Sequence, residues 1–182
     1  TAITSFSLDK LTAVPVSMFE GCTKLTKVTG TEQITVVNKN SFKGSGIKNL
    51  DLPKVTKIDT SAFEDCADLT SVTSTQLLAT LNGSAFKNSG ITSLDITKIK
   101  TISANVFEGC VNLTELTNTS GVTSIGGSAF KNTAIVEIDM PNVTSIASSA
   151  FEGCTKLKNV KVKHAGATTP ASKAFYGSSI EN

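Results

Sequence analysis

Apolar residues recur along this chain in short alternating runs. Ile47, Leu50 and Leu52 form one, Ile91, Leu94 and Ile96 another, and Ile135, Ile138 and Met140 a third. Alternation with period 2 over so few residues predicts a short strand with one buried face. In every second run the last apolar position is lost, at Gly30, Ser74 and Asn118. A further apolar residue then follows, at Val55, Ile99 and Val143 or at Ile34, Leu78 and Val122. One more precedes a phenylalanine by five residues, at Val14, Val37, Ile58, Leu81, Ile102, Ile125 and Ile146; in the final repeat Pro170 takes that place.

The phenylalanines set the period. Phe19, Phe42, Phe63, Phe86, Phe107, Phe130, Phe151 and Phe175 are separated by 23, 21, 23, 21, 23, 21 and 24 residues. A fixed step in this range predicts a solenoid of stacked coils with a continuous, thin core. Two coil types alternate. One reads Phe63-Glu64-Asp65-Cys66-Ala67-Asp68-Leu69; the other, one residue shorter after its Phe, reads Phe86-Lys87-Asn88-Ser89-Gly90-Ile91.

The segment around each Phe predicts a helical turn. Ser17 with Glu20, Ser61 with Glu64 and Ser149 with Glu152 have the spacing of a capping box, as do Asn105 and Glu108. Two residues after each Phe stands Gly21, Gly44, Asp65, Asn88, Gly109, Asn132, Gly153 or Gly177, types that tolerate the left-handed conformation ending a helix. Immediately after Phe the charge alternates, through Glu20, Lys43, Glu64, Lys87, Glu108, Lys131 and Glu152. Stacking predicts a ladder of opposite charges on the outer surface.

Composition narrows the function classes. The 182 residues suit one domain, with a net charge of +2. All 17 basic residues are Lys, so the Arg forks and dense basic patches of nucleic-acid readers are absent. No apolar run approaches the roughly 18 residues of a membrane span, and no signal peptide is visible. The chain begins and ends within a repeat, which predicts a single solenoid domain over 1–182 cut from a longer array. Cys22, Cys66, Cys110 and Cys154 lie 44 residues apart, hence two coils, or about 10 Å at roughly 4.8 Å per coil. A disulfide needs Cα atoms within about 7 Å. All four are therefore expected as buried thiols filling an apolar slot, and not as joint ligands of a metal.

Written out in full, the coil resembles the BspA-like, or Treponema-type, leucine-rich repeat. The residues that carry the resemblance are Leu113-Thr114-Glu115-Leu116 and Val143-Thr144-Ser145-Ile146-Ala147-Ser148-Ser149-Ala150-Phe151-Glu152-Gly153-Cys154. It covers essentially the whole chain. The short coils depart by lacking Cys, and no Asn ladder follows the strands. The resemblance implies an α/β solenoid: a right-handed leucine-rich-repeat stack of about eight coils of 23 and 21 residues, with short parallel strands on one face and short helical turns on the other. It also implies a secreted or cell-surface protein, with adhesion to host matrix proteins or to other cells, and no shared catalytic residues.

The outward strand positions are the candidate binding surface: Asn49, Asp51, Ser71, Thr73, Ser93, Asp95, Glu115, Thr117, Glu137, Asp139 and Lys161. Thr31, Thr75 and Thr119 are expected to point outward beside them. The surface offers a hydrogen-bonding platform for a protein or glycan; alternatively, Thr is there because it suits an exposed strand and Asp because it aids solubility. Aromatic anchors of tight interfaces are missing, so binding would be weak per site and gain from multivalency. Asp51, Asp95 and Asp139, about 10 Å apart, cannot share a small ion. Lys156, Lys158, Lys161, Lys163 and His164 form a basic end. Asn82, Asn112, Asn118 and Asn142 open N-x-S/T sequons, of consequence only in a eukaryotic secretory pathway. The expectation is a monomeric extracellular binding scaffold without cofactor or enzymatic activity. Its partner would be a host matrix or cell-surface protein, or a glycan, with neither nucleic acid nor membrane insertion. The alternative is a spacer with no ligand of its own. A carbohydrate-active β-helix would need clustered catalytic groups interrupting the repeat, which stays regular until the last coil.

Overall fold

The computed structural model describes residues 3–162 and 171–179. Each coil carries two strands. The first strands are β1 (Ser5–Ser7), β3 (Lys27–Thr29), β5 (Asn49–Asp51), β7 (Ser71–Thr73), β9 (Ser93–Asp95), β11 (Glu115–Thr117), β13 (Glu137–Met140) and β15 (Asn159–Val162). The second strands are β2 (Ala13–Val14), β4 (Val36–Val37), β6 (Lys57–Ile58), β8 (Thr80–Leu81), β10 (Thr101–Ile102), β12 (Ser124–Ile125) and β14 (Ser145–Ile146). A Phe-bearing segment closes each coil, making a three-sided β-solenoid. Coils are numbered 1 to 8 from β1. Seven are complete among the described residues; the eighth runs from β15 into 163–170, so the expected count of eight is shown only as about seven, and the loop around His164 and Pro170 lies outside the described residues.

All strand pairings are parallel, but the first strands pair only in twos: β1 with β3, β5 with β7, β9 with β11 and β13 with β15. Coils 1–2, 3–4, 5–6 and 7–8 are thus joined on this face. The second strands form β2-β4-β6-β8 and β10-β12-β14. The first-face breaks follow Gly30, Ser74 and Asn118, all at positive φ (70°, 59° and 58°). A left-handed residue there turns the chain out of line before the next strand position.

The core is the predicted spine. Phe19 to Phe175 stack with ring centroids 5.1–5.9 Å apart, and Phe6 sits edge-on over Phe19 at 5.2 Å. All four cysteines are buried, and none forms a disulfide. The Cys66, Cys110 and Cys154 thiols donate to the carbonyls of Phe42, Phe86 and Phe130 one coil back, at 2.9, 2.8 and 2.9 Å. Each also contacts a hydroxyl of that coil, on Ser45, Ser89 or Thr133. The short coils thus replace the thiol by a hydroxyl in the same column.

The Phe-bearing face is not helical, which corrects the expectation. The residue two before each Phe, read as an N-cap in the four longer coils (Ser17, Ser61, Asn105 and Ser149), is left-handed in all eight, with Asn40, Ser84, Ser128 and Lys173 in the others, and so is the residue two after it. Three residues between two left-handed ones cannot make a helical turn. The amide donors instead alternate in direction. Ser17, Phe19 and Gly21 donate to Lys39, Ser41 and Lys43 of the next coil, while Met18, Glu20 and Cys22 donate to Pro15, Ser17 and Phe19 of their own. The segment is therefore a rung of a third intercoil ladder. Ser149 still hydrogen-bonds the Glu152 carboxylate, but across a tight turn. The only helical element among the described residues is a 3-10 turn at Thr119–Gly121.

The charge ladder forms as separate pairs. Lys43–Glu64, Lys87–Glu108 and Lys131–Glu152 lie at 3.2, 3.0 and 2.9 Å. These join coils 2–3, 4–5 and 6–7, the boundaries that the first strands leave open; the thiol bonds span the same three. Coupling is thus staggered, like courses of brickwork.

Candidate functional site: the first-strand face

The predicted face is present and in register. Asn49 stands opposite Ser71, Asp51 opposite Thr73, Ser93 opposite Glu115, Asp95 opposite Thr117, Glu137 opposite Asn159 and Asp139 opposite Lys161. The inward partners, such as Leu50, Leu94 and Ile138, are buried, so alternation turns the polar set outward. Many of these groups hold one another. Thr73 Oγ1 donates to Asp51 Oδ1 at 2.7 Å, Ser71 Oγ to Asn49 Oδ1 at 2.8 Å, and Asn118 Nδ2 to Asp95 Oδ2 at 2.9 Å. Lys161 bridges Glu137 at 3.0 Å and Asp139 at 3.6 Å.

The electrostatics follow these bonds. Hydroxyl donation from Ser74, then from Thr73, holds the Asp51 carboxyl below its ordinary pKa. At Asp95 partial burial acts upward but is outweighed by the hydroxyl and N–H of Thr97 and by Asn118. The Glu137 hydrogen bond raises the Lys161 ammonium. Both Asp carboxylates and Lys161 are charged at neutral pH.

Two of the outward expectations fail. Thr31 and Thr75 are 7% and 1% exposed. The left-handed Gly30 and Ser74 just before them break the alternation, and the Thr75 hydroxyl turns inward to the Asp95 carbonyl at 2.9 Å. Of the basic end, Lys156, Lys158 and Lys161 are exposed, and Lys163 and His164 lie outside the described residues. A polar ladder does follow the second strands: Asn38 Nδ2 donates to Val14 O, Asn82 Nδ2 to Asp59 Oδ1 and Ser103 Oγ to Leu81 O, at 2.9, 2.7 and 2.8 Å. Desolvation acts upward on Asp59, but Lys57, Asn82 and the Thr60 N–H bring its pKa to about 2. Its four-residue offset before Phe was the signal in the sequence, hidden because Asn, Asp and Ser share the column.

The face also has a cleft that the repeat did not announce. Between β11 and β13 lies an opening of about 520 Å³ lined by Thr114, Glu115, Leu116 and Thr119 on one side and residues 136–140 on the other. Glu115, Glu137 and Asp139 all line it.

These coils and this face define the chain as a leucine-rich-repeat β-solenoid. The BspA-type leucine-rich repeat region matches it in six copies, over residues 1–113 and 82–182, and the chain belongs to that family. Among solved structures it is similar to a leucine-rich cell surface protein from Faecalibacterium prausnitzii A2-165, with 20% identity and a TM-score of 0.61. It is also similar to a leucine-rich repeat protein from Bacteroides ovatus ATCC 8483, with 15% identity and a TM-score of 0.57. The two alignments cover 84% and 96% of this chain; it spans 52% and 64% of the length of those proteins. At these identities the likeness is one of fold. No curated protein matches the chain. Among the described residues no helix is long and apolar enough to cross a membrane.

Proposed function

We propose that this solenoid is an extracellular or cell-surface binding scaffold that engages a protein or glycan through its first-strand face, without catalysis. The observation that carries this reading is the column of in-register pairs Asp51–Thr73, Asp95–Thr117 and Asp139–Lys161, exposed or half-exposed and, Thr117 apart, held in place by the bonds described above. Side chains ordered before a partner arrives lose little entropy on binding. The cell-surface description of the Faecalibacterium protein supports the location. The face lacks aromatic anchors, so many weak contacts act together, and a long array multiplies them.

A spacer is the second reading. The same bonds among Asp51, Thr73, Asn49 and Ser71 favour it, because they already satisfy much of the face internally. The two part in a pull-down against matrix proteins, serum proteins and a glycan array. The parent is compared with a variant carrying Asp51→Ala, Thr73→Ala, Asp95→Ala and Thr117→Ala. A ligand retained by the parent and lost by the folded variant establishes the scaffold. No ligand for either, with both folded, favours the spacer.

A further inference from the structure

We infer that the cleft between β11 and β13 is a built subsite for a cationic side chain, Lys or Arg, of a protein partner. This rests on the scaffold reading and gives it a partner chemistry. The repeat departs from its own rules in several ways here, and all of them bear on this opening.

The first departure opens it. At the equivalent boundaries the chain passes through Gly46 and Gly90, where an added Cβ would lie 2.3 and 2.2 Å from the carbonyl oxygens of Thr23 and Ala67. Both glycines use that closeness, donating their N–H to Cys22 O and Cys66 O at 3.2 and 3.1 Å. Between coils 6 and 7 the position is Ala134, and among the described residues no such bond joins it to Cys110. A methyl group where the backbones would touch forces the coils apart.

The second departure lines the opening. In the column before the first strand, the Thr26, Thr70, Thr92 and Thr114 hydroxyls each bond the carbonyl one coil back. Val136 replaces Thr in the next coil and is 42% exposed, an apolar wall where the ladder would have continued. The third concerns charge. Glu115 and Glu137 hold equivalent positions on β11 and β13, where other coils have Ser, Asn or Lys. Like charges brought up to the unpaired boundary between β11 and β13 repel one another, and such a conflict is expected where function overrides stability. Asp139 adds a third carboxylate, and Lys161 is the single cation paired to the group among the described residues, leaving two negative charges in excess.

The far end is tied by Thr119 Oγ1 to Asp139 O and by Asn142 Nδ2 to Ser120 O. The cleft therefore offers an apolar flank of Val136 and Leu116 beside carboxylates. An aliphatic stem with a charged head matches both. A bare metal ion does not, since the described residues contain no group of three carboxylate, His or Cys side chains able to hold one.

The test is amide-resolved titration of the chain with acetyl-arginine amide and acetyl-lysine amide, against acetyl-norleucine amide and glucose. The expected result is saturable shifts for the cationic amides, confined to residues 114–119 and 136–140. Glu115→Gln with Glu137→Gln, which preserves shape, should weaken them at least tenfold without lowering the melting temperature. Ala134→Gly should weaken them by closing the cleft. Equal shifts with norleucine amide, preferential shifts with glucose, shifts spread along the whole face, or indifference to these substitutions would overturn the proposal. If a captured partner is lost by the four-alanine variant but kept by Glu115→Gln with Glu137→Gln, the scaffold stands and this subsite falls.

Discussion

At the scale of single residues, the ranking of interactions is set by burial. Phe86 is fully buried and stacked on both sides, whereas the Lys87–Glu108 pair lies at the surface. Truncating a buried Phe costs about 3–5 kcal/mol, and an exposed ion pair is worth ~0.2–1 kcal/mol. Phe86→Ala should therefore lower the melting temperature several times more than Lys87→Ala in parallel thermal melts. Burial also silences the thiols: it pushes Cys66 and Cys110 up to about 11 despite hydrogen bonds from Ser89 at Cys110 and Ser45 at Cys66. At pH 8 the folded chain should resist a thiol-alkylating reagent and react promptly in denaturant; mass spectrometry of timed aliquots reads this directly. Asp59 gives the pH response. Its folded pKa of about 2 lies below the unfolded value near 3.9, so its contribution to stability is complete above that value and is lost as pH falls toward 2. Asp59→Asn should flatten the melting-temperature profile between pH 4 and pH 2. The Phe column and the thiols were legible in the sequence because each recurs at a fixed step, in a chain with few other aromatic or sulfur-bearing residues. The Asn38–Asp59–Asn82–Ser103 ladder was not, because its chemistry is shared among unlike residue types.

At the scale of elements, alternation showed where strands begin but not where they stop pairing. Period 2 assumes an extended backbone, and the left-handed Gly30, Ser74 and Asn118 end that regime after three residues. This buried Thr31 and Thr75 against expectation. The same blindness produced the helical turn: Ser17 and Glu20 have capping-box spacing, yet spacing cannot reveal that alternate amides point to the next coil. The glycines of the coil boundaries carry the complementary information. Gly90→Ala should recreate between coils 4 and 5 the separation seen at Ala134, because its Cβ would meet the Ala67 backbone oxygen at 2.2 Å. Faster hydrogen exchange at Gly90 and Thr92, whose amides bond Cys66 and Thr70, would register the opening; unchanged protection there would refute the wedge.

At the scale of the whole molecule, strand pairs and ion pairs alternate along the axis with a two-coil period of 44 residues. Excising 44 residues rejoins Lys to Glu and Cys to its hydroxyl partner. Excising one coil sets two like charges side by side. The single-coil deletion should therefore melt lower than the double, although it leaves the longer protein. The stagger also matters under load. On the first-strand face boundaries 2–3, 4–5 and 6–7 carry no strand pairing, whereas on the Phe-bearing face the backbone ladder joins successive coils throughout and the Lys–Glu pairs sit at those three boundaries. A chain pulled at its ends can open there like a concertina, gaining length by flexing along the Phe-bearing side while the ring stack stays closed. Such a stack would yield softly before it tears, lengthening under a pull before any coil unfolds.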